Sequence, residues 1–292
     1  MTASGPGELV AIGDDRIRLE ILPGVGARIH RLRFDGHEVL RTPADPARHL
    51  DDPWFWGSYP MAPWCNRLPP GRQDVAGRTI DLRPNFRDGT AIHGQVDRAA
   101  WERVDDATFR VRAGGDDSWP WPYRVEQVFS IQGGRLDYAL RLTNLADEPM
   151  PAGLGIHPWF AKPLEVAFQA ASTFPDNLAT PPRPIPVSGA FDRRRLGPMP
   201  DDLDATWVDL GEPPIALAWP GHGVTCTITF DAPTRVVTAA SPGALDGVAI
   251  EPATQAPDGI RRLLRGEPDG LTLLPAGDTL ELRIRFAFAA QT

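Results

Sequence analysis

Alternation of apolar and polar residues at period two is the feature that most limits what this chain can become. Tyr123, Val125, Gln127, Phe129 and Ile131 fall on one face of an extended segment; Leu136, Tyr138, Leu140 and Leu142 do the same after a Gly133-Gly134 turn. Successive side chains of a strand point to opposite sheet faces, so the pattern predicts a hairpin with one buried face. The same period recurs in Ile17, Leu19 and Ile21, in Val224, Cys226, Ile228 and Phe230, and in Leu280, Leu282, Ile284, Phe286 and Phe288. Asp35-Gly36 offers a tight turn before Glu38-Val39-Leu40. No segment of three helical turns carries an apolar stripe, and the best helical candidate, residues 260–265, is short. Strands without helices predict an all-β fold, an antiparallel β-sandwich or barrel. The patterned segments run from residue 16 to residue 288 with no clear linker, so one domain spanning residues 1–292 is expected. Residues 174–202, rich in Pro and Arg, read as a surface excursion from it.

Composition narrows the function classes. The net charge is −8 with no basic block, which argues against nucleic acid and anionic membrane as partners. No apolar run approaches the ~18 residues of a membrane helix. The first ten residues lack a basic stretch followed by an apolar core, so a cytoplasmic location is expected. Two cysteines, Cys65 and Cys226, exclude a disulfide scaffold and a multi-cysteine zinc site; both are expected as small buried hydrophobes. Lys162 is the one lysine, so Schiff-base chemistry would rest on it alone.

Four segments interrupt the strand pattern with polar residues that are costly to bury. They are Asn66-Arg67 within residues 63–68, followed by Gly71-Arg72; His93-Gly94 within 91–94; His157 within 153–160; and Glu251-Pro252 at the end of the apolar run 248–250. An acid, two imidazoles and a guanidinium on or near apolar strands suggest a pocket that tunes their protonation. Singly, each has an ordinary reading. His157 suits a core histidine bonded to a backbone carbonyl, His93 a turn residue, Glu251 a solvated strand end, and Arg67 is one of 29 arginines. His93 and His157 could together hold a metal, but no H-x-H or H-x-x-x-H spacing supports one, and no glycine-rich phosphate loop is visible, so neither metal nor cofactor is expected.

Together and in order, these segments resemble the aldose 1-epimerases, or galactose mutarotases, over nearly the whole chain from about residue 15. Asn66-Arg67 with Gly71-Arg72, Ile92-His93-Gly94, residues 155–160 around His157-Pro158, Leu203-Asp204 with Trp207, and Ile250-Glu251-Pro252 are similar to that family's successive motifs. Gln95 stands where many members carry a hydrophobic or aromatic residue, and residues 174–202 depart from the family pattern.

The resemblance implies a galactose mutarotase-like supersandwich that binds a small-molecule aldose in a cleft across one sheet. It implies interconversion of the α and β anomers by ring opening and closing. A base must take the C1 hydroxyl proton and an acid must supply one to the ring oxygen. By resemblance Glu251 is the base, His157 the acid, and His93 a donor to the ring oxygen or a nearby hydroxyl. Arg67, Asn66, Asp204 and Trp159 would bind the sugar. A carboxylate beside His157 is expected to raise its pKa and keep it protonated. Trp54, Trp56, Trp64 and Trp159 are expected to offer flat faces to the sugar, and Trp101 and Trp219 to fill the core. A hexose-phosphate mutarotase and a non-catalytic sugar-binding protein on the same fold are the alternatives.

Overall fold

A computed structural model describes residues 7–178, 180, 183–231 and 236–290. The expected hairpin is present: Tyr123–Gln132 pairs antiparallel with Arg135–Asn144, and Gln132 faces Arg135 across the turn. Gly133 and Gly134 both take positive φ, which a two-residue turn of this hand requires. Thr108–Ala113 adds to one side of the hairpin and Thr279–Ala290 to the other. Val224–Phe230 follows Thr279–Ala290, and then comes Leu203–Trp219, a strand of 17 residues.

That long strand joins two halves of the ladder. Its residues 215–219 pair with Val224–Phe230, while its residues 203–207 pair with Val236–Ser241. From there the pairing continues antiparallel through Gly247–Ala253, Gly155–Ala161 and Ser58–Met61. Ser58–Met61 touches Arg28–Phe34, which pairs with Ile17–Leu22 and through it with Val10–Gly13. Leu19 near one end of the ladder and Leu140 near the other are fully buried in one apolar cluster, so the sheet folds back on itself as a sandwich. Burying one such side chain contributes about 1.5–3 kcal/mol. The fold is the all-β antiparallel one that the alternation predicts.

Helix is confined to short pieces. The expected segment becomes Gly259–Arg265, and Arg48–Asp51 adds one turn. Among the described residues, no helix is long and apolar enough to cross a membrane. Beyond the end of the strand Glu165–Phe174, the described residues of 174–202 carry Ile185–Pro186, Gly197–Pro198 and the 3₁₀ turn Gly189–Phe191. Cys65, Cys226, Trp101 and Trp219 are buried, as expected.

Gly94 marks a close approach of two backbones. It has φ +81°, and a Cβ there would lie 1.9 Å from the Ala62 carbonyl oxygen. Gly94→Ala is therefore expected to cost about 2 kcal/mol or more. Urea unfolding checks this as a lowered midpoint with an unchanged slope.

Candidate active site

Strand register assembles the centre of the site. Gly155 faces Ala253 and Trp159 faces Ala249, an offset that sets His157 opposite Glu251. Tyr59 faces His157 on one side, Thr238 faces Glu251 on the other, and Thr206 faces Thr238 beyond it. Five adjacent strands thus contribute one row: Tyr59, His157, Glu251, Thr238 and Thr206. Glu251 Oε1 lies 3.1 Å from His157 Nε2, and both residues are buried. Glu251 is not a solvated strand end: its carboxyl is buried and lies against the His157 ring.

Loops bring the remaining groups over this row. His93 has φ +61°, a left-handed conformation that a turn residue tolerates beside Gly94. The Asn66 backbone N–H donates to His93 Nδ1 at 3.2 Å, and the His93 N–H donates to the Asn66 carbonyl at 3.2 Å. Since Nδ1 accepts, the neutral His93 ring carries its proton on Nε2. The His93 and His157 rings meet edge to face at 4.9 Å. Asn66 Oδ1 in turn accepts the Arg67 backbone N–H at 2.7 Å. The Arg67 guanidinium bonds Asp88 at 2.7 Å and the Asn177 carbonyl at 3.0 Å, and Asp204 lies 3.6 Å away.

All seven residues singled out by the sequence line one cavity of about 80 Å³. Asp204 is included, although its segment follows an irregular stretch. Trp54 and Trp159 also line it, tied by a bond from Trp159 Nε1 to the Trp54 carbonyl at 2.6 Å. Two other tryptophans do not belong to the cleft. Trp56 lies 3.5 Å from the Arg41 guanidinium, and buried Trp64 packs on Trp119 at 5.2 Å. A wider cavity of about 300 Å³ elsewhere is bordered by Asp137 and Arg285, which pair with each other at 2.6 Å. It lacks the convergent buried acid and imidazoles.

Asn177 and Thr238 of the cavity, and Thr206, which bonds to both, escape the sequence reading. Asn177 is buried; its side chain donates to Asp204 and accepts from Thr206 Oγ1 at 2.5 Å. Thr206 and Thr238 are linked at 2.7 Å. A buried side chain from the irregular stretch therefore orders the Asp204 and Arg67 end of the cavity.

Burial governs the protonation of the central pair. It pushes the Glu251 carboxyl well above its usual range, with the Asp204 charge adding and Arg67 opposing. It brings His157 down to about 3, and the charges of Arg28 and Arg67 also oppose an imidazolium. The expectation that the neighbouring carboxylate would raise His157 is thus not met, because desolvation outweighs the attraction. The neutral pair, a carboxylic acid beside a neutral imidazole, is the form that burial favours. His93 is also held well below its usual value, by burial first and then by His157 and Arg67.

His93, His157 and Glu251 offer ligand atoms within 4.8 Å of one another, a convergence that sequence spacing did not reveal. The donor set nonetheless fits a metal poorly. Nδ1 of His93 is taken by the Asn66 N–H, and ligation through Nε2 would require a proton on that same Nδ1.

The aldose 1-epimerase profile matches residues 8–195, more than half of the chain. This chain belongs to the aldose 1-epimerase family. Asp204 and Glu251 lie beyond the matched segment, so their place in the site rests on the geometry above. YphB of Escherichia coli (strain K12), described as uncharacterized, is 27% identical over 255 residues, covering 78% of this chain and 83% of that protein. Among solved structures, the GalM/aldose epimerase homologue from C. elegans superposes with a TM-score of 0.82 at 17% identity, over 98% of this chain and 99% of that one. A galactose mutarotase-like protein from Clostridium acetobutylicum gives 0.82 at 15% identity, over 96% and 95%. At these identities the likeness is one of fold.

The buried histidines of this family member have a stability consequence. His30 is lowered to about 4, His49 to about 2 and His157 to about 3, each by burial first. Below pH 6.5 the unfolded chain binds protons that the folded chain refuses, so stability falls as pH falls. The loss runs from pH 6.5 down through these lowered values, at up to ~1.4 kcal/mol per pH unit for each histidine. Glu251 has the opposite sign: its raised pKa favours the fold at low pH and loses that contribution as pH rises above 4.5. The urea midpoint is expected to drop between pH 6.5 and 4, and the drop should be shallower in His49→Gln.

Proposed function

We propose that this chain is a mutarotase that interconverts the α and β anomers of a free neutral aldose by ring opening and closing. The observation that carries this reading is the buried His157–Glu251 contact at 3.1 Å, with His93 beside it. The C1 hydroxyl oxygen and the ring oxygen are both bonded to C1, so two adjacent groups can serve both atoms. With a sugar bound, Glu251 as carboxylate takes the hydroxyl proton while His157 as imidazolium gives one to the ring oxygen. The C1–O5 bond then breaks and the carbonyl forms. Opening converts the ion pair into the neutral pair that burial favours, and closing on either face reverses it. Net charge in the pocket stays constant, which suits a site that penalises charge.

His93 donates its Nε2–H to the ring oxygen or a hydroxyl next to it, stabilising charge as it develops there. Arg67, Asn66, Asp204 and Asn177 hold the hydroxyls remote from C1, and Trp54 and Trp159 cover the apolar face of the ring. Polarimetry on freshly dissolved α-D-glucose or α-D-galactose tests the reading, in buffer with a chelator. The expected result is equilibration faster than the buffer blank. No acceleration across a panel of free aldoses would leave a sugar-binding protein instead, and loss of activity to the chelator would overturn the acid–base account.

Glu251→Gln keeps the shape but not the base, so kcat should fall by ~10²-fold or more with a modest change in KM. His157→Asn should behave alike, and the double variant should be little worse than either single. Arg67→Lys keeps the charge but loses the planar fork, so it should mainly raise KM. Steady-state kinetics on the four variants, with circular dichroism to verify folding, decides these roles; near wild-type kcat in Glu251→Gln would remove it from the mechanism.

Charge balance supports neutral substrates. Arg67 is met by both Asp88 and Asp204, and Arg87 at the rim is exposed to water, which screens its charge. A hexose should therefore exceed its 6-phosphate in kcat/KM by about tenfold or more. The reverse preference in paired progress curves would assign the chain to sugar phosphates.

A further inference from the structure

Arg28 is a fully buried cation that no step above uses. Its Nε bonds the Val25 carbonyl at 3.2 Å, and its two terminal nitrogens reach the Pro53 carbonyl at 2.9 Å and the Asp97 carbonyl at 2.8 Å. Pro53 precedes Trp54, and Asp97 lies four residues after His93, so one guanidinium joins the two loops that line the cavity. One terminal nitrogen also donates to His49 Nδ1 at 3.2 Å, and His49 Nε2 then donates to His30 Nδ1 at 3.0 Å. Because Arg28 can only donate, this fixes the tautomers of both rings. The guanidinium lies 5.1 Å from the Tyr59 ring centroid, and that same ring stacks on His157 at 4.6 Å and 22°.

Among the described residues no carboxylate forms an ion pair with Arg28; Asp97 and Asp52 act on it only at longer range, and a buried charge so placed is costly to keep. Five backbone or ring contacts compensate it, and three of them, to Pro53, Asp97 and Tyr59, reach the two pocket loops and the ring that stacks on His157. We propose that Arg28 is a positioning residue: it ties the Trp54 loop to the His93 loop and holds Tyr59, with a positive charge behind it, against His157. The kinetic consequence rests on the mutarotase reading above, whereas the structural one does not. The groups that face His157 are Glu251 on the neighbouring strand, Tyr59 on the other, and His93 and Arg67 from the loops. Arg28 acts through Tyr59.

The test uses the full chain labelled on histidine, with ring resonances observed by NMR and assigned with His157→Asn. Arg28→Lys keeps the charge but cannot reach both loop carbonyls as a fork does. Its His93 and His157 resonances should shift or broaden, while the His157 midpoint stays near that of the parent. Arg28→Met loses the charge as well, and its His157 midpoint should rise by about one pH unit. In polarimetry Arg28→Lys should lower kcat about tenfold with little change in KM. A folded Arg28→Lys chain whose His93 and His157 resonances coincide with the parent would overturn the proposal. So would an unmoved midpoint in folded Arg28→Met. Failure of both variants to fold would make Arg28 purely structural, which also overturns it. A parent chain without mutarotase activity would sink the functional reading, and the NMR comparison would still judge this one.

Discussion

Antiparallel register is the constraint on which the candidate site depends. Tyr59, His157, Glu251, Thr238 and Thr206 come from five strands far apart in sequence, yet they stand in one row. A slip of one residue in any of these ladders would turn a side chain to the other sheet face. Apolar neighbours hold the register: Ile156 and Phe160 flank His157 on its strand, and Ile250 precedes Glu251, all of them buried. Hydrophobic burial thus does more than stabilise the sheet. It fixes where the acid and the imidazole meet.

The same burial sets their protonation. A carboxyl and an imidazole removed from water both resist ionisation, and proximity lets one proton serve the two. A charged pair would cost several kcal/mol per ion before any attraction was recovered. Keeping the resting pair neutral avoids most of that cost. Arg67, by contrast, sits between two carboxylates at the wetter end of the cavity, so its charge is balanced rather than excluded.

Much of this arrangement was legible in the sequence because polar residues interrupt otherwise apolar strands. His157 between Ile156 and Pro158, and Glu251 after Ile250, are anomalies that alternation alone exposes. Thr206 and Thr238 gave no such signal, since threonine is an ordinary strand residue and acquires a role only through its cross-strand partner. Asn177 lies in a stretch without periodicity, and its backbone carbonyl does part of the work, which no side-chain pattern encodes. Arg28 was hidden among 29 arginines. The protonation of His157 follows from the depth at which it and Glu251 are buried, which the sequence does not encode.

The place of Thr279–Ala290 in the ladder bears on how the chain is made. This strand runs between Arg135–Asn144 and Val224–Phe230, so both of those present an open edge until residues 279–290 arrive. Closing loops of more than a hundred residues is entropically costly, and β topologies with such distant partners fold slowly. On the ribosome, the Tyr123–Gln132 and Arg135–Asn144 hairpin emerges with an unpaired, half-apolar edge and must wait for the far end of the message. During that interval the nascent chain is open to edge-to-edge association. Any condition that delays residues 279–290 therefore lengthens the exposure of that edge.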